Sequence, residues 1–184
     1  MRTYRTNDGP FVERPYYPDA DVEAICIDEL SKFGLLPTEP EAIRIDRFIE
    51  KNFVTPSYED LGEGILGLTR FSKNGVSEIV VSSRLDAEGS KVSERRIRTT
   101  LAHEGGHGLL HTHLFVLGSE KKSLFGDFTD PNKPKVMCRD AHYKGQWWEV
   151  QANMAMGSLL MPKKLVEMAM EPYLTELGLW RMRC

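Results

Sequence analysis

Cysteine is sparse. The chain has three, Cys26, Cys138 and Cys184, an odd number with no close pair and no CxxC. That spacing argues against a disulfide framework or a zinc ribbon and fits a reducing, cytoplasmic setting. Long apolar runs are also missing: no stretch nears the roughly 18–20 residues that a membrane span needs. The first residues are basic but no apolar segment follows, so a secretory signal is not expected. GxGxxG and the P-loop pattern are absent, which leaves a nucleotide-phosphate cradle without support. Positive charge is not in excess: 24 Lys and Arg face 27 Asp and Glu, for a net charge of −3. A nucleic-acid binder is usually basic, so direct nucleic-acid contact is not expected. Histidine is scarce too. There are five, all between His103 and His142, and a titrating, metal-binding residue so concentrated marks where chemistry belongs.

What is present reads as one ordinary domain of 184 residues, 41% hydrophobic and 28% charged. Residues 1–18, with Pro10, Pro15 and Pro18, are expected to form an extended arm rather than a packed element. Residues 19–184 are expected to form a single domain. A first helix begins at Asp19 with Asp21 as its cap; Val22, Cys26, Leu30 and Phe33 recur on one face, and Gly34 stops it. A second runs through EPEAIRIDRFIEKNF, with Pro40 in its first turn and Ile43, Ile45, Phe48, Ile49 and Phe53 on its apolar face. GILGLTRF and SEIVVSSRL then read as antiparallel strands around Lys73-Asn74-Gly75, since Asn-Gly favours tight hairpin turns. Ser93 caps a long helix with Glu94 in its first turn. Residues 117–145 read as a long irregular segment. A further helix runs from Gln146 to Pro162. A last one starts at Lys163, is interrupted near Pro172 and ends at Gly178. The expected fold class is α+β, mostly helical, with a small antiparallel sheet packed on the long helix.

That long helix contains His103-Glu104-Gly105-Gly106-His107, an HExxH pattern. Four residues advance about 400° on a helix, so the two imidazoles share a face and can hold one ion. Glu104 is turned about 100° from His103, beside the ion, where it can take a proton from a water held there. Gly105, Gly106 and Gly108 lie inside the same helix, each at a cost of about 1 kcal/mol relative to Ala. A solvated helix has no use for three. They are expected where a ligand-bearing neighbour approaches the backbone closely.

A catalytic zinc takes three protein ligands. His113 falls where metzincins place their third His, but Leu110 stands where that pattern needs a turning Gly. On an uninterrupted helix His113 lies about 9 Å along the axis from His107, too far to share the ion. The other candidate is Glu149, in a helix with almost no polar face, QWWEVQANMAMGSLLMP. A buried acid has to pair or bind metal. Asn153, one turn on, can accept the hydrogen bond that fixes a ligand histidine. His111, His142 and Tyr143 are candidate donors to the oxyanion of a reacting carbonyl.

HEGGHGLLH, then CRD, then WWEVQAN and SLLMPKK together resemble the ImmA/IrrE-type metallopeptidase family, over roughly residues 20–165. The family often has a bulkier residue where Gly105 stands and an aromatic where Ala155 stands. The resemblance implies a minimal zincin-like, gluzincin-type fold with one Zn2+ per chain. It implies His103, His107 and Glu149 as ligands and Glu104 as general base. It implies an endopeptidase whose substrate is a protein, a DNA-binding transcriptional repressor. A rival reading is a non-proteolytic regulatory binding module whose zinc is structural or sensing.

Overall fold

The structure, a computed structural model, describes residues 2–6, 11–116, 135–140 and 145–178. The N-terminal arm is extended, but it is also packed. Strands β1 (Arg2–Arg5) and β2 (Glu13–Tyr16) pair antiparallel as a separate two-stranded sheet. Phe11 is fully buried against Phe115, Trp147 and Trp148, with ring centroids 5.2–6.3 Å apart. Burying one Phe contributes roughly 1.5–3 kcal/mol, enough to pin a short arm that its prolines alone would leave loose.

Helix α1 (Asp19–Lys32) buries Val22, Cys26 and Leu30, the expected stripe. It ends in a Schellman turn: Gly34, at φ +65°, donates to the Ser31 carbonyl, and Leu35 donates to the Leu30 carbonyl. Its cap position is Pro18 rather than Asp21. Helix α2 (Ile45–Asn52) is shorter than the sequence suggests and starts well after Pro40. Ile43 is buried just before it, with its carbonyl accepting from Arg98 Nη2 at 2.8 Å, so this stretch is tied to the long helix instead of joining α2.

Strands β3 (Ser57–Glu59), β4 (Ile65–Ser72) and β5 (Gly75–Ser82) follow. β4 and β5 form the expected hairpin, with Gly75 at φ +112° at its turn. β3 adds parallel to β5, so the sheet is mixed rather than purely antiparallel. On β5, Ile79 and Val81 face the main core, while Val80 joins Leu61 and Leu68 in a small cluster on the other face. A short helix α3 (Ser83–Ala87) leads to α4 (Lys91–Val116). Ser90 caps α4, one turn ahead of Ser93. Ser93 N–H donates to Ser90 Oγ at 3.0 Å and Ser90 N–H to Ser93 Oγ at 2.9 Å, a reciprocal capping box.

β6 (Lys135–Asp140) pairs antiparallel with β4, giving the sheet order β3-β5-β4-β6. This strand lies within the segment expected to be irregular; its pairing to a distant strand is what makes it a strand. Helices α5 (Trp147–Leu160) and α6 (Lys163–Glu176) complete the chain, and α6 runs through Pro172 without a break. α4 lies at the centre, packed against β4, β5 and β6 on one side and α2 and α5 on others. The fold is α+β, predominantly helical, with its larger sheet packed on the HExxH helix. Among the described residues, no helix is long and apolar enough to cross a membrane.

Candidate metal centre

α4 and α5 cross closely because α4 has no side chain at Gly106, where it meets the α5 backbone. A Cβ on Gly106 would lie 2.9 Å from both the Ala152 carbonyl oxygen and the Ala155 Cβ of α5. Gly105 meets Ile49 of α2 and Gly108 meets Phe53 in the same way, at 2.6 and 2.7 Å. The glycine run lets three neighbours press on one helix, and one of them carries Glu149.

The crossing brings three buried side chains together. His103 Nε2 and His107 Nε2 are 3.1 Å apart. Glu149 Oε2 lies 3.0 Å from His103 Nε2, and its Oε1 lies 3.3 Å from His107 Nε2. Ligands held about 2.0–2.1 Å from one tetrahedral ion are separated by about 3.3 Å. His103, His107 and Glu149 therefore form a group able to hold a metal ion, the only such group among the described residues.

The proton positions favour a cation there. His103 Nδ1 lies 3.0 Å from the Asn153 side-chain oxygen. An amide oxygen only accepts, so Nδ1 carries the hydrogen and the neutral ring turns its Nε2 lone pair toward Glu149. A lone pair facing a carboxylate in a buried site is tolerable only with a proton or a metal ion between them. Burial pushes the Glu149 carboxyl up, but the facing His103 and His107 rings outweigh it and hold the group at about 2, so it stays ionised. Burial pushes His107 below its ordinary value, aided by the neighbouring His103 and opposed by Glu149. A neutral imidazole beside an ionised carboxylate is the state that ligates.

No family model matches the chain, and neither a curated protein nor a solved structure matches it. The reading of the centre therefore rests on its own chemistry.

Glu104 is fully buried on the same helix. Thr69 of β4 donates to its Oε2 at 2.7 Å. β4 makes room for the carboxylate at Gly67, where a Cβ would lie 3.0 Å from Glu104 Oε1 and 2.4 Å from Thr100. Sheet and helix together thus fix the acid on α4, one residue from the cluster member His103.

Other candidates fall elsewhere. His113 is half-buried on α4 and outside the cluster, in line with the helix geometry. His111, a candidate oxyanion donor by sequence, is fully buried with both ring nitrogens engaged, Nδ1 by His107 and Nε2 by Gln151, each at 3.0 Å. It backs a cluster residue instead of facing a substrate. Burial, aided by His107, holds it well below its ordinary value. His142 and Tyr143 lie outside the described residues. Sequence reasoning passed over Thr69 and Gln151. Gln151 carried a signal, a second polar residue in a helix without a polar face. Thr69 carried none, because strand register decides what it touches.

Proposed function

We propose that the chain is a zinc-dependent endopeptidase acting in the cytoplasm on a protein substrate, which the ImmA/IrrE-type resemblance makes a DNA-binding transcriptional repressor. The observation that carries this reading is a buried carboxylate, Glu104, held by Thr69 on the same helix that supplies two members of a His–His–Glu cluster. Two imidazoles and one carboxylate suit zinc, and three protein ligands leave a fourth position for chemistry. When bound, the metal supplies an acidified water and polarises the scissile carbonyl. Glu104 accepts the proton released as the carbonyl is attacked and delivers it to the leaving amine. Thr69 holds the carboxylate in line for both transfers, and Asn153 keeps the His103 ring fixed.

The test is Glu104→Gln, a substitution of equal size that cannot take the proton. Co-expressed with a repressor encoded beside it, the wild type should produce fragments and the variant none, while both bind zinc equally. Full biological activity in the variant would end the peptidase reading. One observation favours the non-proteolytic alternative: His103, Glu104, His107 and Glu149 are all buried, as suits a structural or sensing metal. On that reading Glu104→Gln leaves function intact, so the same experiment separates the two.

A further inference from the structure

Behind the metal cluster runs a chain of hydrogen bonds that ends in the N-terminal hairpin. His107 Nδ1 meets His111 Nδ1 at 3.0 Å. His111 Nε2 meets the Gln151 side-chain oxygen at 3.0 Å. Gln151 Nε2 donates to the Pro15 carbonyl of β2 at 2.7 Å. Every member is buried: Gln151 is 4% exposed, His107 and His111 not at all.

The direction of this chain is set at its far end. A peptide carbonyl only accepts, so the Gln151 amino group must face Pro15 and its oxygen must face His111. That oxygen only accepts, so His111 Nε2 carries a hydrogen. In the neutral ring His111 Nδ1 is then an acceptor, and the one proton between the two facing Nδ1 atoms belongs to His107. With Nδ1 protonated, neutral His107 turns its Nε2 lone pair toward His103 and Glu149. Removing the carbonyl at the start makes each later choice ambiguous, because amides and imidazoles can both run in either direction.

We propose that Gln151 and His111 are positioning residues, through which the Pro15 carbonyl of the β1–β2 hairpin sets the tautomer of His107 and presents its Nε2 to the metal. This rests on the reading of His103, His107 and Glu149 as a metal site. The arm is then part of the centre's construction. Without the relay His107 can hold its hydrogen on Nε2, which blocks ligation until it is moved.

The competing account is that Gln151 merely ties the arm down. Two substitutions separate them. Gln151→Met keeps the volume but removes both the acceptor for His111 and the donor to Pro15. Gln151→Glu, as the carboxylate, has an acceptor on both arms: it cannot donate to Pro15, so the tie is cut, but it presents an oxygen to His111 without the carbonyl to orient it, so the rest of the relay survives. Zinc affinity, measured by competition with a chromophoric chelator, should fall about 10- to 100-fold in Gln151→Met and stay near wild type in Gln151→Glu. Nitrogen-15 NMR of the imidazoles in the zinc-free protein at neutral pH reads the tautomer without any substitution. His111 should be the Nε2–H form in the wild type and in Gln151→Glu, and a mixture in Gln151→Met. Equal losses in the two variants, or unchanged affinity in Gln151→Met, would overturn the relay. So would a wild-type His111 in the Nδ1–H form in a protein that binds zinc. A wild type that binds no zinc would overturn the metal reading instead, whatever the tautomers show.

Discussion

Thr69 sets where the Glu104 carboxylate can point. Its hydroxyl gives Oε2 a donor at 2.7 Å inside a site closed to water. Thr69→Val keeps the shape and removes that donor, at a cost of about 1–3 kcal/mol for a buried polar group. The expected result is unchanged zinc stoichiometry, a lower melting temperature and cleavage slowed roughly 10- to 100-fold by misplacement of the acid. Thr69→Ser should restore the rate; wild-type cleavage by the Val variant would rule the role out. Glu149→Ala belongs at the same scale. Losing a residue behind a metal ligand typically weakens binding about 10- to 100-fold, so losing a cluster member should do more, while His113→Ala changes nothing. Chelator competition measures both, and the opposite ranking would move the third ligand to His113. Much of this cluster is legible in the sequence. His103 and His107 follow from four-residue spacing, a property local to one helix. Glu149 follows from burial, since an acid amid Trp147, Trp148, Val150 and Ala152 must face a partner. Gln151 carries the same signal. Thr69 and Pro15 do not, because each reaches its partner through tertiary packing that no local pattern encodes.

Between elements, the crossing of α4 and α5 depends on Gly106. Gly106→Ala should gain about 1 kcal/mol of helix propensity. It also places a methyl 2.9 Å from the Ala152 carbonyl oxygen, backbone that cannot swing aside. Overpacking of this kind costs about 1–3 kcal/mol, so the expected net effect is destabilisation. Zinc affinity should fall as well, because α5 carries Glu149. Gly157 is the control: it lies in α5 with nothing within 4 Å of an added Cβ. Gly157→Ala should stabilise by about 0.4–1 kcal/mol. Urea denaturation of the two variants checks the pair, and equal shifts would show that the crossing tolerates a methyl. The same locality explains which elements the sequence displays. Asn74-Gly75 and Gly34 act through their own backbone, so the β4–β5 turn and the end of α1 can be read directly. β6 exists because β4 offers it an edge, and the start of α2 is delayed because Arg98 holds the Ile43 carbonyl. Both depend on residues more than 50 positions away.

For the molecule as a whole, the buried histidines predict how stability depends on pH and metal. In the unfolded chain His107 and His111 titrate near 6.5. Folded, burial holds both lower, with His103 and Glu149 pulling in opposite directions on His107, and with His107 and His113 lowering His111 against Gln151 and Glu149. Between the folded and unfolded values the unfolded chain binds more protons. Their contribution is therefore complete above about pH 6.5 and is lost as pH falls below it, by up to about 1.4 kcal/mol per pH unit for each group. Glu149 adds a second window: held at about 2 against an ordinary 4.5, it stabilises above 4.5 and loses that contribution as pH falls toward 2. Metal-free protein should thus weaken on acidification well before ordinary carboxylates protonate. Bound metal stabilises on top of this, by about 2.7 kcal/mol at a free concentration 100 times its dissociation constant. For a chain of this length that is roughly 5–10 °C in melting temperature. Ligation needs neutral imidazoles and an ionised carboxylate, so protons compete with the metal. The drop in melting temperature on chelation should be largest near pH 8 and shrink steadily toward pH 5. Thermal scans with and without chelator across that range provide the measurement. A drop that stays constant with pH would show that the stabilising ion sits somewhere other than on His103, His107 and Glu149.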